Sequence, residues 1–213
     1  MQELKVTFDL VTPMRAPSRP IHLDALLAWA AVTRAGGDIS AQEDLPLEKH
    51  VAQSGDWCWK ASQLQFAKPD LREVIYSCRS FDPWHWGQSW GVTFHKGRGK
   101  GALAQGTGPY KGYQFTTPAI TVPQVWAFCV GEQDKIEDLL TEVTHVGKLS
   151  RLDMGRIKKT TVFPIDGQQD FWMTRTMPDE HKGYRKTWGN IRPPYWKRST
   201  KQVVWEPPKA CER

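Results

Sequence analysis

Residues 132–158 read EQDKIEDLLTEVTHVGKLSRLDMGRIK, a helical period followed by a glycine-bounded basic loop. In the first half Ile136, Leu139, Leu140 and Val143 recur at helical spacing behind an acidic opening, which predicts an amphipathic helix over residues 132–145. In the second half a strand is expected over residues 156–163. The loop between them, residues 147–155, has a glycine at each end. Glycines let a backbone approach phosphates closely and expose its N–H groups. Lys148, Arg151, Arg156 and Lys158 add positive charge, and Ser150 adds a hydroxyl donor. Composition leaves two readings open here, a phosphate cradle or a solvated basic turn.

Outward from this stretch, residues 4–11 alternate Val6, Phe8 and Leu10 with Lys5, Thr7 and Asp9, the pattern of a half-buried strand. Pro13, Pro17 and Pro20 end it. Residues 22–34 place Leu23, Leu26, Leu27 and Ala30 on one helical face, with Asp24 in the first turn and Gly36-Gly37 as the stop. Residues 38–62 are mixed and acidic and read as an insertion with one short helix. Further strands are expected at residues 73–78, 90–95, 114–122 and 124–130. The order strand, helix, strands, helix, strand predicts an α+β, ferredoxin-like (RRM-like) βαββαβ domain. It would occupy residues 1–166, with insertions at about 38–62 and 96–113. Residues 167–213 read as a basic, aromatic C-terminal extension rather than a second domain.

With 213 residues, 39% hydrophobic and 24% charged, the chain has enough apolar sequence for a self-supporting core. Its longest apolar stretch, near residues 23–32, is too short and too interrupted to span a bilayer. No secretory signal opens it, so a cytoplasmic location is expected. Cys58, Cys78, Cys129 and Cys211 are scattered without zinc-ligand spacing and read as free thiols; no metal is expected. The net charge is +6, concentrated in residues 96–111, residues 148–159 and the tail after His181. Eleven tryptophans suit a large surface for stacking or for protein contact, although most tryptophans serve cores.

A second basic loop, residues 96–112, contains six glycines, Lys96, Arg98, Lys100 and Lys111, and no acid. Its Tyr110 and the following Tyr113 suit base stacking. The same features fit a solvated hairpin tip. The run Gly99-Lys100-Gly101 grazes a dinucleotide fingerprint, but Gly106, Gly108 and Pro109 leave no helix to receive a pyrophosphate. With no P-loop either, no nucleotide cofactor is expected. The cluster Trp84, His85, Trp86 and Trp90 suits stacking, a core or a subunit interface. The tail around Lys182, Tyr184, Trp188, Tyr195, Trp196 and Arg198 suits RNA, displaced DNA, a partner protein or plain solvation.

A glycine-rich loop between the second helix and the last strand of such a domain resembles the signature of the RAMP superfamily of CRISPR proteins. Thr12-Pro13, followed by residues 20–30, PIHLDALLAWA, is similar to the first strand and helix of its type IV members. In particular it is similar to the handle-capping subunit, the counterpart of the fifth Cas family, over roughly residues 1–35 and 86–165. Asp153 departs from the pattern, standing where many relatives carry another glycine. The resemblance implies a non-catalytic subunit that binds the 5′ handle of the crRNA and caps a filament of backbone subunits. Such a subunit lies beside the large subunit, with contact to target DNA near the PAM left open. Carried onto this chain, the handle-facing residues are Gly147, Lys148, Ser150, Arg151, Gly155 and Arg156. The loop with Lys96, Arg98, Lys100 and Lys111 becomes a mobile thumb.

The rival class is an endoribonuclease that processes the CRISPR repeat. Cleavage by 2′-hydroxyl attack needs a base, an acid and charge stabilisation near one phosphate. The candidates are His22, His95 and Tyr110, with Lys96 or Lys148 as stabiliser. His22 precedes a helix, where a capping or packing role is the simpler reading, and nothing in the spacing pairs His95 with a second titrating group. The non-catalytic reading is therefore preferred.

Overall fold

The computed structural model describes residues 1–79, 113–166 and 170–208. The strand expected at 90–95, the loop 96–112, the aromatic cluster at 84–90, and with them His95 and Tyr110, lie outside the described residues. The chain forms two compact units, residues 1–72 with 120–213, and residues 73–119.

In chain order the elements are β1 (Gln2–Leu10), β2 (Met14–Arg15), α1 (Leu23–Arg34), β3 (Lys49–Val51), β4 (Trp57–Trp59) and β5 (Gln65–Phe66). They continue with β6 (Leu71–Arg79), β7 (Tyr113–Thr121), β8 (Gln124–Gly131), α2 (Gln133–Leu140), β9 (Ile157–Pro164), β10 (Arg185–Gly189) and β11 (Gln202–Glu206). The second unit is built on the neighbouring strands β6 and β7.

The first unit is organised by a four-stranded sheet in the order β5-β8-β1-β9, with every neighbour antiparallel. β1 lies between β8 and β9 because both of its edges are paired along most of its length, from Gln2↔Gly131 on one side and Leu4↔Pro164 on the other. Its alternation is as expected: Leu4, Val6 and Phe8 are fully buried. They share one core with Val125, Ala127 and Cys129 of β8, Val162 of β9, Leu23, Leu27 and Ala30 of α1, and Ile136 and Leu140 of α2. A two-residue period on the strands and a 3.6-residue period on the helices thus bury one common apolar face. On the other sheet face Lys5 holds its ammonium 5.6 Å from the Trp126 ring and 5.7 Å from Phe163.

Two expectations need adjustment. The helix expected to reach residue 145 ends at Leu140, and turns follow. The carbonyl of Asp138 accepts from the Thr141 hydroxyl at 2.6 Å and from Arg34 at 2.8 Å, and β-branched Val143 and Thr144 favour leaving the helix. Arg34, in the last turn of α1, also pairs with the side chains of Asp138 and Glu142. The 38–62 segment has its short helix, a 3-10 turn at Ile39–Glu43, but also the unexpected β3–β4 hairpin. Its strands are three residues long, too short for alternation to register, and they are braced by Lys49 over the Trp57 and Trp59 rings.

The described part of the C-terminal segment belongs to the same compact unit as the sheet. Its centre is Arg175, which is fully buried. The guanidinium reaches Asp24 of α1 at 3.2 Å, the Tyr195 hydroxyl at 3.0 Å and the Ala61 carbonyl at 3.0 Å, and it also donates to the carbonyls of Trp59 and Ile191. Tyr195 in turn lies 3.0 Å from both carboxylate oxygens of Asp24. Burial pushes the Asp24 carboxyl up, and the Arg175 charge and the Tyr195 hydrogen bond oppose that push. Burial, and then the Asp24 charge, push the Tyr195 phenol well above its ordinary value, which keeps it a neutral donor. His22 completes the cluster. Its ring stacks on Tyr195 at 4.8 Å and 7°, and its Nε2 accepts the Thr176 N–H at 3.2 Å. Burial and the nearby Arg175 hold His22 well below the usual histidine range.

Removing the Arg175 guanidinium leaves an uncompensated buried carboxylate. Arg175→Ala is therefore expected to cost about 3–5 kcal/mol, read as a fall in the urea midpoint. His22 is neutral when folded and ordinary when unfolded, so its contribution is complete above about pH 6.5 and is lost as pH falls below that value toward the folded pKa. Unfolding midpoints measured between about pH 7.5 and 5.5 should decline in the parent chain and flatten in His22→Gln.

Candidate nucleic-acid interface

The loop that follows α2 is shaped by backbone geometry before side chains enter. Gly147 and Gly155 take positive φ, +88° and +71°. At Gly155 a Cβ would stand 2.1 Å from the Val146 carbonyl oxygen, so this position is closed to every other residue without a backbone shift. That close approach lets Val146 donate to the Gly155 carbonyl at 2.8 Å. At Gly147 a Cβ would make ordinary contacts with Ile21 and Met14, at 3.6 and 3.8 Å.

Between the glycines a 3-10 turn, Ser150–Leu152, is flanked by Leu149 and Asp153, both left-handed at φ +69° and +57°. The departure from glycine at Asp153 therefore keeps the backbone conformation that a glycine would take, since Asp tolerates it better than most residues. The Asp153 carboxylate lies 3.2 Å from His145 Nε2 and 3.6 Å from Arg156. It partly neutralises one of the expected cations.

The loop is tied to the segment after β1. The Thr12 hydroxyl donates to the Asp153 carbonyl at 2.5 Å and accepts the Arg156 N–H at 2.9 Å, while Gly155 donates to the Pro13 carbonyl at 2.9 Å. Lys148, Ser150, Arg151, Arg156 and Lys158 all present exposed side chains. Among the described residues, no acceptor meets the backbone N–H groups of Lys148, Ser150 or Arg151. Arg156 and Lys158 share a groove of about 580 Å³, where α2 meets β9, with Lys159 and His145. Lys148, Ser150 and Arg151 sit on the turn itself. The expected partners Lys96, Arg98, Lys100 and Lys111 fall outside the described residues.

Thr12, His145 and Lys159 were missed as part of the site. Thr12 carried a signal, being next to Pro13 in the stretch that supports the family resemblance, whereas the Asp153–His145 pair has no regular spacing. A cleft of about 560 Å³ adjoins the loop through Met14 and Ile21 and also exposes Arg19, Arg72 and the Arg185–Glu206 pair. His22, a candidate base, is buried and already engaged by Thr176 and Tyr195. Among the described residues no cluster of three or more His, Cys, Asp or Glu could hold a metal, and no helix is long and apolar enough to cross a membrane. Cys58 and Cys129 are buried free thiols; burial pushes Cys129 up to about 12.

Residues 2–207 match the family described as CRISPR type IV associated protein Csf3. A comparison with curated proteins finds no match.

The two glycines should respond differently to alanine. Gly147→Ala is expected to cost about 1–2 kcal/mol, the left-handed strain alone. Gly155→Ala should cost about 3 kcal/mol or more, because the collision with Val146 adds to that strain. Urea midpoints of the two variants check the difference.

Proposed function

The chain belongs to the family of CRISPR type IV associated protein Csf3, and we propose on that premise that it is a non-catalytic RNA-binding subunit of a type IV effector ribonucleoprotein. In this reading the loop at residues 147–156 holds the 5′ handle of the crRNA. The subunit caps the backbone filament beside the large subunit, close enough to touch target DNA near the PAM. The observation that carries the reading is the clamped geometry of the loop: two glycines and two further left-handed residues hold Lys148, Ser150 and Arg151 outward on a backbone fixed to Thr12 and Pro13. Phosphates are bound by such arrangements of fixed N–H groups and flexible cations.

Two further points support it. The sheet order β5-β8-β1-β9 is the one a ferredoxin-like, RAMP-type domain takes when β5 serves as its shortened second strand. The engagement of His22 within the core supports a binder over a repeat endoribonuclease. The thumb role of Lys96, Arg98, Lys100 and Lys111 stays part of the proposal.

Handle RNA affinity should fall in a Lys148/Arg151/Arg156 triple alanine variant. The slope of log K against log salt should flatten by about 2, at about 0.7 per phosphate contact on a single strand. Unchanged affinity would refute the loop assignment. Asp153→Asn, which keeps a residue tolerant of positive φ while freeing Arg156, should tighten binding about two- to fivefold, the range of an exposed charge pair. Repeat RNA incubated with the protein should stay intact; cleavage that disappears in His95→Ala would establish the nuclease reading instead.

A further inference from the structure

The C-terminal ribbon has a property that the handle loop does not use. Between Glu180 and Glu206 the chain carries seven Lys or Arg residues and no Asp or Glu. β10 and β11 pair so that Trp188 stands opposite Val203 and Lys186 opposite Trp205. Residues two apart on a strand share a face. One face therefore presents Lys186 and Trp188 together, and Trp188 is 63% exposed. The opposite face buries Val204 completely against Cys58 and Ile191. The ribbon is thus docked through Val204 on one side and, on the other, packed at Trp205 but open at its Trp188 end, where Val203 is also exposed.

The connection between the two strands begins and ends at the Trp188 end, because Gly189 pairs with Gln202. It carries Trp196, 74% exposed, followed by Lys197, Arg198 and Lys201. This exposure is imposed by a fixed backbone. Tyr195 points inward to Asp24, and Asn190 donates to the carbonyls of Tyr195 at 2.9 Å and Lys197 at 3.0 Å. The Lys197 N–H in turn donates to the Pro194 carbonyl at 3.0 Å. A tryptophan kept in water between two anchored neighbours is unusual for a side chain with so much apolar surface.

We propose that this surface is a second nucleic-acid site, which stacks the bases of an unpaired strand on Trp188 and Trp196 and meets its phosphates with Lys186, Arg198 and Lys201. Exposed aromatics among cations are the combination used for single strands, and among the described residues Lys186, Arg198 and Lys201 make no ion pair, whereas protein interfaces are depleted in lysine. Glu43 and Asp56 share a groove with Trp196 and Lys197, so Lys197 is left out of the phosphate set. Arg192 takes no part, since it lies 4.3 Å over the Trp57 ring. The site is separate from the handle loop and does not depend on that assignment.

The test uses the full chain with short fluorescein-labelled oligo(dT) and oligo(U), read by anisotropy at low salt and by quenching of tryptophan fluorescence. Trp188→Ala/Trp196→Ala should weaken binding about tenfold or more, while Trp→Phe at both positions retains most of it. Arg198→Glu/Lys201→Glu should weaken it without touching an aromatic ring. Measured in the Lys148/Arg151/Arg156 alanine background, the further loss on Trp188→Ala/Trp196→Ala should persist, which separates this site from the handle loop. The ratio of dT to U affinity tells whether DNA or RNA is the better occupant. Homopolymer affinity equal to the parent's in the double tryptophan variant overturns the proposal. So does loss of a protein partner on copurification of that variant with homopolymer binding intact, which would make the surface a protein-docking face.

Discussion

The structure depends on a buried cation. Arg175 sits 0% exposed among Asp24, Tyr195 and four backbone carbonyls, those of Trp59, Ala61, Thr176 and Ile191, gathered from well-separated parts of the chain. A guanidinium does not lose its proton to escape burial, as a lysine can, so it must be met on all sides by acceptors. That requirement brings α1, the segment at residues 59–61, and the Ile191 and Tyr195 turn to one point. It also explains why a stretch that reads as a trailing extension is continuous with the core. Any arrangement that moved the C-terminal segment away would strand either the guanidinium or the carboxylate, and a stranded buried charge costs several kcal/mol.

Legibility in the sequence followed the range of the interactions involved. β1, α1 and α2 were readable because each carries its own periodicity, a local property, whereas β8 and β9 were placed by their position beside those elements. Asp24 was readable only as a residue of a helix's first turn, since its true partner is 151 residues away. Arg175 had no pattern at all: in sequence it is one basic residue in a basic tail. The β3–β4 hairpin escaped for the opposite reason, having strands too short to show alternation.

The candidate loop shows the same division. Glycines at 147 and 155, and the cations between and beside them, could be read directly as types suited to phosphate. What made the loop a defined shape was Thr12, whose hydroxyl bridges the Asp153 carbonyl and the Arg156 N–H from more than 140 residues away. Asp153, a departure from glycine, turns out to keep the left-handed backbone and to spend its carboxylate on His145 and Arg156. Substitution at that position therefore changes the charge of the loop more than its path.

Rigidity links the buried cluster to binding. Ordering flexible segments subtracts from affinity, so a surface whose backbone is already held loses less on association. The handle loop is held by Thr12, Pro13 and Val146, and the exposed turn at Trp196 by Tyr195 and Asn190. Tyr195 joins the two: its hydroxyl completes the coordination of Asp24 and Arg175 in the core, and its backbone presents the next residue to solvent. One side chain thus converts the requirement of a buried charge into a fixed position for an exposed ring. Core and binding surface are consequently coupled, and a change that loosens the Arg175 cluster should reach the Trp196 turn before it reaches the handle loop, which is anchored independently.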